Sequence, residues 1–99
     1  MPAAARVGDT VATGHLCDAT TTLAAVNHNV NIEGSNACVV GDLTVSHSAF
    51  APPNCAAHTA PINDGSTLVT IGGLPAARVD DSCDLGTITS GAVKVTIGG

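Results

Sequence analysis

Three short stretches of the chain alternate apolar and polar residues, which is the period-two pattern of a half-buried strand. They centre on three Val-x-Ile pairs, Val30/Ile32, Val69/Ile71 and Val95/Ile97. Glycines end these strands, and a second short strand is predicted to follow each of them. An Asp then starts a turn in each copy, at Asp9, Asp42 and Asp81. The pattern predicts an all-β chain of short strands without a helix of useful length, in which residues 46–64 form a long loop.

The strand pattern belongs to an internal repeat. Residues 30–42 (VNIEGSNACVVGD) and 69–81 (VTIGGLPAARVDD) align without gaps at an offset of 39 residues and are identical at six of thirteen positions. The chain opens with PAAARVGD, the second half of the block, and closes with VTIGG, the first half. A third copy is therefore split between the two ends. We predict three similar lobes about an approximate three-fold axis, and termini that lie close together.

The composition leaves few large apolar side chains for a core. Of the hydrophobic residues sixteen are Ala, Val, Ile and Leu total 22, and Phe50 is the sole aromatic residue. Apolar burial stabilises by about 25 cal/mol per Å², whereas ordering the chain costs roughly 1.5 kcal/mol per residue. Because these terms nearly cancel, a chain of this size needs a metal ion, disulfides or a partner subunit. Four Cys and four His offer the first two.

Charge and hydropathy argue against nucleic-acid binding and against a membrane-spanning segment. A net charge of −5 with three cationic residues, Arg6, Arg78 and Lys94, argues against nucleic acid, whose binding needs clustered Lys and Arg. No apolar run approaches the roughly 17–25 residues that span a bilayer. No secretory signal opens the chain, so we expect synthesis in the cytoplasm. Disulfides are disfavoured there, which favours the Cys and His residues as metal ligands.

The stretch Pro75-Ala76-Ala77-Arg78 lies in the context GSTLVTIGGLPAARVDDSC, and the first and middle blocks repeat it more loosely. In these motifs, and over nearly its whole length, the chain resembles the PAAR-repeat proteins. The resemblance implies a small cone-shaped (pyramidal) all-β fold, here a single domain over residues 1–99 without a fused toxin or adaptor. Asp80 stands where the family usually has Gly, and Gly72 where it usually has Asn, so these two turns are expected to differ locally.

The resemblance also implies a function. PAAR-repeat proteins cap and sharpen the trimeric β-helical central spike of contractile injection machines, such as phage tails and type VI secretion systems, with one chain per trimer. They are assembled at the spike tip and delivered into or through the target envelope, so the target membrane is pierced rather than bound, and some carry effector cargo. The repeat agrees with this role, because a pseudo-three-fold monomer suits a three-fold partner. The alternative is a standalone structural zinc-binding β module with another partner, and catalysis is not expected.

The pointed end of PAAR domains holds a metal ion bound by three His and one Cys. In this chain His15 lies six residues after the first Asp turn, His47 five after the second and Cys83 two after the third. His58, in the insertion after the middle block, is the natural fourth ligand. Imidazole and thiolate both suit a closed, tetrahedral Zn²⁺ site. We therefore predict one Zn²⁺, in preference to iron, bound by His15, His47, His58 and Cys83.

The remaining His and Cys residues are predicted to have other roles. His28 is in phase with neighbouring apolar residues and is expected to be a core or surface residue rather than a ligand. Cys17, Cys38 and Cys55 are expected to be small buried apolar residues. Cys55, in a C-x-x-H spacing with His58, is the first reserve ligand, and Cys17 is the second. A disulfide from Cys17 to either Cys38 or Cys55 remains open.

Overall fold

The computed structural model describes residues 1–99, apart from the side chain of Ala51. Among the described residues the chain is all-β, as predicted, and none of them forms a helix that could span a membrane. The strands are β1 (Thr10–Ala12), β2 (Thr20–Thr22), β3 (Asn31–Ile32), β4 (Ser35–Asn36), β5 (His47–Ala51), β6 (Asn54–His58), β7 (Thr70–Ile71), β8 (Leu74–Pro75), β9 (Ser82–Cys83) and β10 (Gly86–Ile88).

The strands form one larger sheet and three hairpins, all antiparallel. The sheet has the order β2-β1-β10-β9, and the hairpins are β3-β4, β5-β6 and β7-β8. The molecule is elongated, with extents of 42 × 24 × 22 Å. Strands this short pair little with one another, so contacts between the repeat copies hold the fold together.

A closed ring of backbone hydrogen bonds joins the three copies of the repeat. The Ala5 N–H donates to the Ala77 carbonyl at 3.0 Å, and the Ala77 N–H donates to the Cys38 carbonyl at 2.9 Å. The Cys38 N–H then donates back to the Ala5 carbonyl at 3.2 Å. A second set of equivalent bonds surrounds the ring: Val7 to Asn36, Val40 to Pro75 and Val79 to Ala3. The chain therefore has the approximate three-fold axis that the repeat predicts.

The two ends of the chain assemble the third copy. The Ala4 N–H donates to the Val95 carbonyl at 3.0 Å, and Ala3 pairs with Thr96 in a β-bridge. The same bond recurs in the two continuous copies, from Ala37 to Val30 and from Ala76 to Val69. The prediction that the termini lie together is therefore confirmed.

An Asp closes the turn in each copy with its own carboxylate. The bonds run from backbone N–H groups to Oδ2 atoms: Arg6 to Asp9 at 2.7 Å, Val39 to Asp42 at 2.8 Å and Arg78 to Asp81 at 2.8 Å. In two copies the arginine side chain also binds the Asp. In the middle copy, where Val39 replaces the arginine, the half-buried His28 places Nε2 2.9 Å from the Asp42 carboxylate. His28 is thus engaged in a turn.

The residue immediately before each of these Asp residues has a positive φ, in the left-handed region of backbone conformation. Gly8 has a φ of 87°, Gly41 of 94° and Asp80 of 75°. A residue with a Cβ is destabilised by roughly 1–2 kcal/mol in this region, and Asp is destabilised by less. We therefore expect Asp80→Gly to raise the free energy of unfolding by up to about 1 kcal/mol in denaturant titrations.

The matched control for this prediction is Gly41→Asp, which creates the Asp80 situation in the middle copy. A Cβ at position 41 meets no atom within 4 Å, so its effect is confined to backbone conformation. Gly41→Asp should lower the stability by about the amount that Asp80→Gly raises it. A less stable Asp80→Gly variant would show that the Asp80 side chain contributes more than its backbone strain costs.

The core is stacked in layers to which each copy contributes one residue. The layers of the first cluster are Ala5/Cys38/Ala77, Leu23/Ile62/Ile88 and Val11/Thr44/Cys83, all of them buried. Equivalent pairings join the last two layers: Leu23 with Thr44, Ile62 with Cys83 and Ile88 with Val11. A second cluster lies among the hairpins and contains Ile32, Ile97 and the alanines 4, 37, 76 and 92. The layer at the backbone ring consists of small side chains because three chain segments meet there at one axis, whereas the next layer holds the largest buried side chains, Leu23, Ile62 and Ile88.

The segment 46–64 differs from its predicted loop. Residues 47–58 form the hairpin β5-β6, which has five paired positions. Its strands are mostly Ala, Ser and Asn, and β6 is largely exposed, so neither face carries an apolar stripe. Because period-two alternation reports a difference between the two faces, strands made mainly of small residues with one isolated aromatic, Phe50, leave no such signal.

Candidate metal centre

In each copy of the repeat, one segment leaves the body at the Asp and returns at a buried Leu or Ile. We call these segments the excursions. The excursions cover residues 9–23, 42–62 and 81–88. The neck of an excursion is the point where it leaves and rejoins the body. Two backbone hydrogen bonds close the neck of the first excursion: Leu23 N–H donates to the Asp9 carbonyl and Gly8 N–H donates to the Leu23 carbonyl, both at 3.0 Å. In the second excursion, Ile62 N–H donates to the Asp42 carbonyl and Gly41 N–H to the Ile62 carbonyl. In the third, Ile88 N–H donates to the Asp81 carbonyl and Asp80 N–H to the Ile88 carbonyl. Three excursions of different length therefore leave the body at equivalent places.

The excursions bring together the three histidines that were predicted as ligands. His47 and His58 are directly opposed across the hairpin β5-β6. His15 follows β1 in the first excursion. The ring centroids of the three imidazoles are 5.4 Å (His15 to His47), 4.9 Å (His15 to His58) and 5.0 Å (His47 to His58) apart. They form a nearly equilateral group, in which the second excursion supplies two imidazoles, the first supplies one and the third supplies none.

The fourth donor in this group is Asp84, from the third excursion. Its Oδ2 atom lies 2.8 Å from His15 Nε2 and 2.8 Å from His47 Nε2, and its Oδ1 atom lies 3.4 Å from His58 Nε2. All four donor atoms lie within 4.8 Å of one another. Backbone bonds fix the turn that presents the carboxylate, from Asp84 N–H to Pro61 and from Leu85 N–H to Thr13.

Cys83, the predicted fourth ligand, is not brought to this group. It lies two residues after its Asp, as Val11 and Thr44 do in their copies, and it shares their buried core layer. Burial raises the pKa of its thiol to about 11, so the protonated form is favoured, whereas a metal ligand must be a thiolate. The repeat register in the sequence places Cys83 in the core, and only the turn at Asp84, where φ is 58°, brings the next side chain among the imidazoles.

The hydrogen bonding of His47 calls for a positive charge at the centre of the group. Its Nδ1 lies 2.9 Å from the Val45 carbonyl, which can only accept, so this nitrogen carries the proton. In a neutral ring the Nε2 lone pair then faces the Asp84 carboxylate at 2.8 Å. Protonating all three rings would place like charges about 5 Å apart. A divalent cation among the four donors would accept the ring lone pairs and balance the carboxylate charge without that repulsion.

The carboxylate is adapted to the same role. Burial raises the pKa of Asp84, but hydrogen bonds with His47, His15 and His58 outweigh it and hold the pKa below its ordinary value. Asp84 is therefore ionised at neutral pH. A charged carboxylate enclosed by three imidazoles is an N/O donor set that suits zinc or another first-row metal.

The spacing of the donor atoms fits such an ion. Ligands at about 2.0–2.1 Å from a tetrahedral metal are roughly 3.3 Å from one another. The separations from Asp84 Oδ2 to His15 and His47, 2.8 Å each, and from Oδ1 to His58, 3.4 Å, lie near that value, whereas the donor atoms as a set are spread over up to 4.8 Å and would draw together around an ion. The Val45 carbonyl accepts the Nδ1 proton of His47 and so turns the Nε2 atom of the ring toward the group, an arrangement that is common for metal-binding histidines. The residues present therefore fit a four-coordinate metal centre.

The remaining cysteines are divided between a disulfide and the core. Of the two disulfides left open by the sequence, the structure contains Cys17–Cys55. These two residues are thus neither buried apolar residues nor reserve ligands, and Cys55 is exposed. Cys38 is a free, buried thiol, as predicted, and burial raises its pKa to about 12.

Comparisons with protein-family models and with curated proteins find no match to this chain. No pocket opens in the part of the molecule that the structure describes. The repeat, the three-fold body and the donor group therefore carry the functional argument.

Proposed function

We propose that this protein is a metal-pinned tip that caps the trimeric β-helical central spike of a contractile injection machine. The observation that carries the proposal is the ring of backbone bonds through Ala5, Cys38 and Ala77, which gives a single chain an approximately three-fold cross-section. Such a chain can offer three equivalent surfaces to three identical partner chains. The resemblance of the PAAR stretch and its repeats to PAAR-repeat proteins supports the same role.

An apolar surface supports docking at the hairpin end. Val30, Val69 and Val95, one from each copy, are 37%, 38% and 37% exposed, so the three lobes present the same side chain to the same degree. Leu68 and Val93, beside two of them in the chain, are still more exposed. Exposed apolar groups of this kind mark interaction surfaces when they are contiguous. We assign these residues to the contact with the spike.

The metal centre belongs to the other end. His47 contacts Thr44 and Asp84 follows Cys83, so the donor group adjoins the first core cluster, whereas the hairpins β3-β4 and β7-β8 adjoin the second. We propose one Zn²⁺ bound by His15, His47, His58 and Asp84, because zinc accepts a tetrahedral N/O set and has no redox chemistry. Four protein ligands make a structural site, since catalytic zinc keeps a position for water. The ion would hold the three excursions together at a narrow tip.

The mass of a purified complex tests the capping role. When the protein is mixed with a trimeric β-helical spike fragment from the same source, native mass spectrometry should give one chain per three spike chains. Val69→Asp should weaken the complex at least tenfold, because it buries a charge at the contact. Leu16→Asp, which is equally polar but lies beside His15, should leave it unchanged. Three chains per trimer, or no complex, would contradict the capping role and leave a standalone metal-binding module.

A further inference from the structure

The Cys17–Cys55 disulfide joins the two parts of the chain that supply the histidines. Cys17 lies two residues after His15, in the first excursion, and Cys55 lies three residues before His58, on strand β6. The covalent bond therefore connects the segment that carries one imidazole to the hairpin that carries the other two. Neither sulfur is a member of the donor group.

Hydrogen bonds also join these two parts, near the body from Val45 N–H to the Thr22 carbonyl at 2.8 Å and farther out between Asp18 and Ser48. Asp18 and Ser48 exchange two hydrogen bonds, from Asp18 N–H to the Ser48 carbonyl at 3.1 Å and from Ser48 N–H to Asp18 Oδ2 at 2.7 Å. Beyond Ser48, among the described residues, the disulfide is the one covalent or hydrogen-bonded link from residues 49–57 to the body outside the hairpin. The outer hairpin is therefore anchored through Cys55.

The segment around His15 depends on the same anchor. The His15 N–H donates to Thr13 Oγ1 at 3.0 Å, and the next residue of the segment with a backbone hydrogen bond is Asp18. Leu16, between them, is 84% exposed and packs little. The disulfide at Cys17 thus limits the positions that the His15 ring can reach. Fixing a flexible residue before binding removes an entropy loss that binding would otherwise incur.

We propose that this disulfide is a redox-operated clamp that tightens the metal centre when it is oxidised. The inference rests on the metal centre proposed above. When the clamp closes, two thiols lose two electrons and two protons to an acceptor disulfide, which becomes two thiols. When a phosphine opens it, phosphorus takes oxygen from water to become a phosphine oxide, and two hydrogens end on the protein sulfurs. Opening removes the covalent link between the His15 segment and the hairpin and leaves only the Asp18–Ser48 hydrogen bonds beside it, so metal affinity should fall about tenfold or more.

The clamp gives the protein two metal affinities in two redox compartments. Cytosolic thiols keep cysteines reduced, and exported or particle-bound proteins meet oxidising conditions. A chain that moves from the first environment to the second would close the disulfide and hold its ion more tightly at the stage when the tip bears load. Opening the clamp in a reducing target cell would loosen the ion again.

A zinc competition titration with a chromophoric chelator tests the clamp on the full chain. Oxidised protein should bind Zn²⁺ at least about tenfold more tightly than protein reduced with a phosphine. The C17S/C55S double variant should bind as weakly as the reduced protein and should not respond to the phosphine. Circular dichroism and thermal unfolding of the double variant establish that it is folded.

Three outcomes would overturn the proposal in distinguishable ways. Equal affinities of oxidised and reduced protein, or a double variant that binds as tightly as the oxidised protein, would overturn the clamp and leave the metal centre standing. Tighter binding on reduction, with a sulfur-to-metal charge-transfer band when Co²⁺ replaces Zn²⁺, would make the free thiols ligands. Absence of binding in every state would overturn the metal centre itself and the clamp with it.

Discussion

Chelating the metal ion from natively purified protein is expected to unfold it or to lower its melting temperature by more than about 20 °C. Structural zinc contributes roughly 10–16 kcal/mol of apparent binding energy in small peptides, as much as the roughly 5–15 kcal/mol of net stability of a typical domain. The excursions pack against the core near their bases, but the hairpin beyond His47 and His58 is largely exposed, so a bound ion would hold together the part that the core does not reach. Calorimetry of metal-loaded and chelated protein measures the difference.

Two histidine variants provide the control for this experiment. His47→Ala removes a donor and should reproduce the loss seen on chelation. His28→Ala removes an imidazole that binds Asp42 outside the donor group, so it should retain the metal and most of the response to chelation. An unchanged melting temperature after complete metal removal would show that the disulfide and the core suffice. In that case the metal has no structural role.

Truncating Ile62 should have the next largest effect. Ile62 is 1% exposed and shares a core layer with Leu23 and Ile88 at the neck of the second excursion. Removing a buried Ile side chain to Ala costs about 2–5 kcal/mol, which corresponds to at least about 10 °C in melting temperature for a domain of this size. Since the core holds few large side chains, neighbouring alanines cannot move in to fill the cavity. Urea unfolding of the metal-loaded variant measures the change.

The control for Ile62→Ala is Val93→Ala, which also removes methyl groups but from a side chain that is 87% exposed. Its free energy of unfolding should change by less than about 0.5 kcal/mol. Equal losses in the two variants would mean that the layered core is not what holds the necks of the excursions closed.

The body of the fold could be predicted from the sequence because the repeat encodes it. Each matched position of the two continuous blocks is also matched in space, and the split copy at the termini completes the ring. The hairpin β5-β6 could not be predicted, since its Ala and Ser side chains give both faces the same character. Its five backbone pairs depend on main-chain geometry that composition does not report.

The donor group could be predicted in part. His15 and His47 follow from their places after two of the Asp turns, because loops related by a three-fold axis converge, and His58 is the natural fourth ligand, from the insertion after the middle block. The fourth position could not be found by residue type, since a buried Cys and an adjacent Asp are both plausible ligands. Counting from Asp81 indicates that Cys83 occupies a core register, but the turn that aims Asp84 at the imidazoles arises from its bonds to the other two excursions. The Cys17–Cys55 pairing likewise depends on a contact between two excursions, and the two cysteines lie 38 residues apart in the chain.

X-ray absorption at the metal edge of natively purified protein tests the central claim most directly. We predict one zinc per chain whose directly bound atoms are nitrogen and oxygen alone, with the multiple-scattering signature of three imidazoles from His15, His47 and His58. Asp84→Ala should abolish this spectrum, whereas Cys83→Ala should leave it unchanged while lowering stability through the core. A sulfur in the first shell would contradict the assignment of Asp84 in favour of Cys83, and protein without a bound metal would contradict the metal-pinned tip altogether.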